Sequence, residues 1–210
     1  MQIYIHGLGQ TAKNWERTIS ELKFNGPFFC LDLAGLIQNE EVNYRNLYQA
    51  FVQRLDEIDE PLDLCGLSLG GVMALNFAIE YPQKVNSLVL IAPQYKMPKQ
   101  LLKFQNVMFR LMPKSMFGQT GFRKNEFLQL CSSMMELDFS KSVHEINCPV
   151  LVVCGEKDTA NRKASENLAS ALKNAKFQLI EGFGHELNID APEKLAEVMR
   201  NFFDKLESLR

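Results

Sequence analysis

Six short apolar runs of strand length recur along this chain: QIYIH at 2–6, FFCLDL at 28–33, LDLCG at 62–66, SLVLIA at 87–92, VLVVCG at 150–155 and FQLIEG at 177–182. Several are apolar throughout, as expected of strands buried on both faces, and segments with helical period lie between them. The alternation predicts an α/β fold with a mostly parallel sheet of about six strands flanked by helices. In the last helical segment Leu195, Val198, Met199, Phe202, Phe203 and Leu206 make one apolar stripe behind the start signal Asp190-Ala191-Pro192-Glu193. That face is expected to pack on the sheet.

Residues 94–142 break the pattern. They carry Met97, Met108, Met112, Met116, Met134 and Met135, prolines at 98 and 113, two helical patterns and no convincing strand. An excursion of this length is expected to be a helical insertion lying as a lid over one end of the sheet, dividing a core domain of residues 1–93 and 143–210. A length of 210 residues suits one domain with such an insertion.

The formal net charge of −2 offers no bulk attraction to nucleic acid. No uninterrupted apolar run approaches the ~20 residues of a membrane-spanning helix, so no stable membrane insertion is expected. The opening MQIYIHG has neither a basic leader nor a cleavage site, which predicts a cytoplasmic protein. Cys30, Cys65, Cys131, Cys148 and Cys154 are scattered, without a CxxC pair, and read as buried free thiols.

The stretch Gly66-Leu67-Ser68-Leu69-Gly70 follows a predicted strand and opens a predicted helix. A chain that turns so abruptly strains its corner residue and leaves no room for side chains two positions either way, so glycine is needed there. Ser68 is thereby pushed beyond the sheet edge, with the positive end of a helix behind it. Glu156-Lys157-Asp158 ends one later strand and Gly182-Phe183-Gly184-His185 another, so an acid and an imidazole can reach the same edge. Of the three histidines, His6 sits in the loop after the first strand and reads as a structural brace, and His144 lies where the insertion rejoins the sheet. By position His185 suits a general base.

These segments together resemble the α/β-hydrolase family of the lidded serine esterase type. HGLG at 6–9 resembles its oxyanion segment, GLSLGG its nucleophile elbow, CGEKD its acid strand end, and GHELNIDAPE its histidine loop. The likeness covers residues 2–93 and about 143–206. It implies that Ser68 is the nucleophile, His185 its base and Asp158 the acid that orients the imidazole, with the N–H groups of Leu8 and Leu69 as oxyanion donors. Glu156 is the rival acid, and Asp158 is preferred because it stands further past the strand end. The reaction implied is hydrolysis of a small-molecule ester or thioester through an acyl-enzyme, needing no metal and no organic cofactor. Carbon–carbon bond hydrolysis or a lyase reaction on the same residues, or ligand capture with little turnover, are the alternatives. Val72 stands where the menaquinone-pathway lyases of the family tend to carry arginine. The family usually has two more strands before the HG segment, so the sheet is expected to be trimmed at an edge away from the site. No oligomeric state follows.

Between residues 94 and 125 there are seven basic residues and no acidic one, against 16 basic and 25 acidic in the rest of the chain. Lys99, Lys103, Arg110 and Lys114 share one side of a helix and Leu101, Phe104, Met108, Phe109 and Met112 the other. Phe104, Met108 and Met112 are expected to line a substrate pocket if that side faces Ser68, with core packing of the lid as the alternative. The basic side is expected to be a solvated face, with an anionic acyl substrate or an anionic membrane surface as sharper readings.

Overall fold

Strand β1 (Gln2–Ile5) is buried on both faces and lies inside the sheet rather than at its edge. The computed structural model describes residues 1–37, 40–118 and 121–208, with the backbone alone at 101, 104 and 105. The chain continues through α1 (Glu16–Leu22), β2 (Phe28–Leu31), α2 (Leu33–Leu36), α3 (Tyr44–Asp56), β3 (Leu62–Leu67), α4 (Leu69–Glu80) and β4 (Val85–Ile91). Then follow α5 (Lys99–Leu111), α6 (Lys124–Ser133), β5 (Val150–Gly155), α7 (Arg162–Ala171), β6 (Ala175–Ile180), α8 (Leu187–Asp190) and α9 (Pro192–Glu207). The strands form one parallel sheet in the order β2-β1-β3-β4-β5-β6. Each apolar run is a strand. The sixth ends two residues earlier than its run, before Gly182 turns the chain with φ +84°.

Period-two alternation divides the core. Ile3, Leu64, Leu88 and Val152 face a layer that includes α3, α4 and α7, whereas Tyr4, Cys65, Val89 and Val153 face α1 and α9. Burial of each such aliphatic side chain contributes about 1.5–3 kcal/mol, and only a sheet covered on both faces collects it from both sets. On α9 the expected stripe is turned inward, with Leu195 and Met199 fully buried and Pro192 at the first helical turn.

Because all six strands run the same way, the loops after β1, β3, β5 and β6 meet at one edge. At the corner after β3, Ser68 has φ 51° and ψ −112°, a conformation that costs about 1–3 kcal/mol in a non-glycine residue. Two hydrogen bonds hold it there: Ser68 N–H donates to the Ile91 carbonyl (2.9 Å), and the Ser68 carbonyl accepts from Val72 N–H (2.9 Å). Glycine is required on either side for two different reasons. A Cβ at Gly66 would sit 2.4 Å from the Gly70 backbone across the turn, and one at Gly70 would sit 2.3 Å from the Ile5 carbonyl oxygen of β1.

The excursion between β4 and β5 is pinned at its base by a short antiparallel contact, Met97 N–H to the Leu137 carbonyl (3.0 Å) and Phe139 N–H to the Tyr95 carbonyl (2.7 Å). Beyond that neck α5 and α6 pack on each other, Phe109 edge-on to Phe127 at 5.0 Å. Tyr44 N–H at the start of α3 donates to Ser133 Oγ (2.8 Å), tying α6 to the core.

Gly70→Ala should lower the thermal midpoint markedly. The clash involves backbone on both sides, so an overpacking cost of about 3 kcal/mol is expected, and roughly 2–4 °C per kcal/mol for a chain of this size. Gly118→Ala, whose nearest neighbour would be 3.5 Å away, should melt with the wild type. Circular-dichroism melts of the three proteins decide; a Gly70→Ala midpoint equal to wild type contradicts the packing.

Candidate active site

Gly155, the last residue of β5, is what lets two of these loops touch. A Cβ there would lie 2.1 Å from the Gly184 carbonyl oxygen, so only glycine permits the 183–184 loop to cross so close. Glu156 N–H donates to the Ile180 carbonyl (2.9 Å) and Lys157 N–H to the Phe183 carbonyl (2.8 Å), extending the pairing past the strand ends. The consequence is a contact of 2.6 Å between Asp158 Oδ2 and His185 Nδ1. Glu156, the rival acid, turns away: its Oε2 accepts from Gly182 N–H (2.8 Å) and braces the loop.

Asp158 is buried. Burial favours its neutral form, but the hydrogen bond and charge of His185 together with the bonds from Asn161 outweigh it, and the carboxyl is held below the usual carboxylate range. Asn161 Nδ2 donates to both carboxylate oxygens, at 2.8 and 2.9 Å, and Asn161 Oδ1 accepts from Gln94 Nε2 (2.8 Å). The same amide nitrogen lies 3.1 Å from His185 Nδ1. With Nδ1 donating to an ionised Asp158, both nitrogens are donors, so this last contact is proximity rather than a bond. The arrangement leaves the other ring nitrogen of His185, Nε2, free of the carboxylate.

Ser68 and His185 line one cavity of about 230 Å³ together with Leu8 and Leu69. Among the described residues no hydrogen bond joins the serine to the imidazole; such contacts commonly tighten only when substrate is bound. Leu69 opens α4, so its N–H belongs to the first-turn donors that have no acceptor within the helix. The far wall is apolar and comes from the excursion: Met97, Leu102, Phe109, Phe127, Cys131 and Met134. Burial pushes the Cys131 thiol up to about 12, so it is a neutral part of that wall.

The expected pocket residues need correction. Met108 is exposed and Met112 packs half-buried against the core; neither lines the cavity, and the side chain of Phe104 lies outside the described residues. Leu102 and Phe109 take their place. Helix α5 has more apolar positions than one side can bury, and its contact with α6 selects the ridge through Leu102, Asn106 and Phe109. Asn106, polar and buried, points inward to donate to Ser132 Oγ (2.9 Å). Gln94 and Asn161 also escape the sequence reading, although Asn161 stands three residues after Asp158 at the entry to α7, where short polar side chains commonly fold back.

His6 is a brace. Its ring is buried, Nε2 accepts from Leu33 N–H (3.0 Å) and Nδ1 donates to the Gly7 carbonyl (2.8 Å), which fixes one neutral tautomer and the course of the loop carrying Leu8. His144 lies on an exposed turn.

A family model described as the alpha/beta hydrolase family matches residues 3–198. The chain belongs to the α/β-hydrolase family. It is 22% identical to the monoacylglycerol lipase abhd6-B of Xenopus laevis over 255 residues, covering 98% of this chain and 76% of that protein. Among solved structures it is similar to the enol-lactonase from Burkholderia xenovorans LB400, with a TM-score of 0.84 and 16% identity over 97% of this chain and 91% of that one. It is also similar to a thermophilic esterase from Thermogutta terrifontis, with a TM-score of 0.82 and 17% identity over 97% and 89%. At such identities the two structures speak for the fold.

Burial lowers the His6 pKa, outweighing the Gly7 bond and the Asp32 charge, which raise it. The unfolded chain takes up this proton near the ordinary value of about 6.5 and the native state resists it, so the native state loses stability as pH falls below that value. The unfolding midpoint should therefore drop between pH 7 and pH 5, and His6→Gln should show a shallower drop by scanning fluorimetry. Equal slopes would remove His6 from the acid response.

Proposed function

We propose that the protein is a serine hydrolase that cleaves a carboxylic ester or thioester through an acyl-enzyme. His185 Nε2 removes the Ser68 proton as Oγ attacks the acyl carbonyl, and Asp158 stabilises the imidazolium that forms. The developing oxyanion is received by the N–H groups of Leu69 and Leu8. The imidazolium returns its proton to the leaving alcohol or thiol; a water, deprotonated by the same imidazole, then releases the acid and restores Ser68. Residues 94–142 act as the lid, and the apolar wall from α5 and α6 receives the acyl chain. The observation that carries this reading is the 2.6 Å Asp158–His185 contact, made by an imidazole that lines the same cavity as the strained Ser68 corner. The names of the related lipase and esterase favour an ester over a carbon–carbon bond as the target. An apolar wall suits an acyl chain of short to medium length.

Asn161 acts as a positioning residue in this scheme. Held by Gln94, it fixes the Asp158 carboxylate so that one oxygen remains aligned with the imidazole.

Ser68→Ala should cut p-nitrophenyl ester hydrolysis by roughly 10⁴-fold or more, and Asp158→Asn by roughly 10⁴-fold. Glu156→Gln should stay within severalfold of wild type. A fluorophosphonate probe should label Ser68, as read by peptide mapping. Activity surviving in Ser68→Ala, or a Glu156→Gln loss larger than that of Asp158→Asn, overturns the assignment.

Phe109→Ala opens the wall opposite the serine. Across a panel of ester chain lengths it should raise kcat/KM for longer acyl groups relative to butyrate by about tenfold, the scale of one or two methylenes in an apolar pocket. An unchanged profile would place the acyl chain elsewhere.

A further inference from the structure

Seven large apolar side chains stand exposed among the described residues, and four of them, Val107, Met108, Leu111 and Met116, fall on α5 and the turn that follows it. Leu111 is 77% exposed and Val107 54%. On a helix advancing about 100° per residue, Val107 and Leu111 are about 40° apart, and Met108 lies about 60° beyond Leu111. Lys103 and Arg110 border Val107 on its other side, about 40–60° away. The opposite ridge carries Leu102 and Phe109 into the cavity. Helix α5 is thus apolar inside and apolar outside, with a basic border.

The cations of this segment fall into two groups. Lys96 pairs with Asp138, Lys99 with Glu136 and Arg123 with Glu126, while Lys124 caps the carbonyls of Arg110 and Met112. Among the described residues Lys103, Arg110 and Lys114 are in no ion pair; the first two border the exposed apolar ridge of α5, and Lys114 lies on the following turn, Lys114–Phe117, which carries the exposed Met116. An apolar sector flanked by free cations is the pattern of a helix that lies in a membrane interface, apolar side chains among the acyl chains and cations at the phosphates. The ridge is convex, so it offers a partner chain no groove. Pairing with a second copy would set the same three cations against each other.

We infer that the outer face of α5 is a docking surface for an anionic lipid bilayer. Docking would lay the lid, and the cavity directly beneath it, against the lipid. The inference depends on no step of the catalytic scheme and is tested by binding alone.

The experiment is co-sedimentation with vesicles of phosphatidylcholine alone and of phosphatidylcholine mixed equally with phosphatidylglycerol, using wild type and the Ser68→Ala variant. Both proteins should bind the mixed vesicles, with affinity falling as salt rises, and hardly bind phosphatidylcholine. A triple variant Lys103→Ala, Arg110→Ala, Lys114→Ala should bind about a hundredfold more weakly, near fivefold per cation. The double variant Val107→Ser, Leu111→Ser should lose roughly tenfold or more. Lys173→Ala with Lys176→Ala, on the far end of the sheet, should bind as wild type. Equal thermal midpoints show that all are folded, since every side chain substituted on α5 and the turn after it is exposed. Failure of the wild type to sediment with mixed vesicles, or equal binding by the α5 variants, overturns the inference. So does a wild-type dimer in sedimentation velocity that both α5 variants split, which would make a second copy the occupant.

Discussion

The close approach of α4 to β1 governs everything built on this chain's sheet edge. The Gly70 Cα lies so near the Ile5 carbonyl that no side chain fits between them, and the helix consequently begins within one residue of the strand that feeds it. A corner that tight forces Ser68 to positive φ, and the residue holds that conformation because hydrogen bonds to β4 and to the first turn of α4 leave it no alternative. The strain at the serine is sustained by the two apolar layers around it. Helix α4 is buried along nearly its whole length, so a relaxed corner would have to lift that helix off the sheet.

A second close approach, at Gly155, does for the acid and the imidazole what the first does for the serine. It draws the two loops into pairing distance, and the pairing, rather than either side chain, sets the 2.6 Å Asp158–His185 separation. Two neighbouring carboxylates then acquire different work from geometry alone. Glu156 faces a backbone N–H and stays a loop brace, whereas Asp158, buried and receiving hydrogen bonds from His185 and Asn161, is kept ionised. The proposed chemistry needs that separation of roles.

Most of this was legible in the amino-acid order because it rests on backbone constraints. The six strands follow from continuous apolar runs, the elbow from glycines on either side of a serine, and the convergence of residues 68, 158 and 185 from the rule that parallel strands end on one edge. What escaped detection depends on side chains choosing among equivalents. Asn161 is one of many asparagines until Gln94, 67 positions away, is brought beside it. On α5, Leu102 and Phe109 line the cavity in place of Met108 and Met112, since a helix apolar around most of its circumference does not state which side it will bury. The neighbouring α6 decides, through Phe127 against Phe109 and through Ser132, which meets Asn106.

Asn106 sets a local cost where α5 meets α6. Asn106 is buried at the α5–α6 contact, donates to Ser132, and leaves its side-chain carbonyl without a partner among the described residues. An unsatisfied buried acceptor costs about 1–3 kcal/mol, and the unpartnered Trp15 Nε1 in the core is a cost of the same kind. The outer ridge of α5 meanwhile forgoes the burial energy its apolar side chains could supply. Helix α5 thus combines an unpaired buried acceptor on its inner side with unburied apolar side chains on its outer one. Two residues of the cavity wall, Leu102 and Phe109, share this one helix with the exposed ridge, so whatever engages the outside also bears on the space beside Ser68.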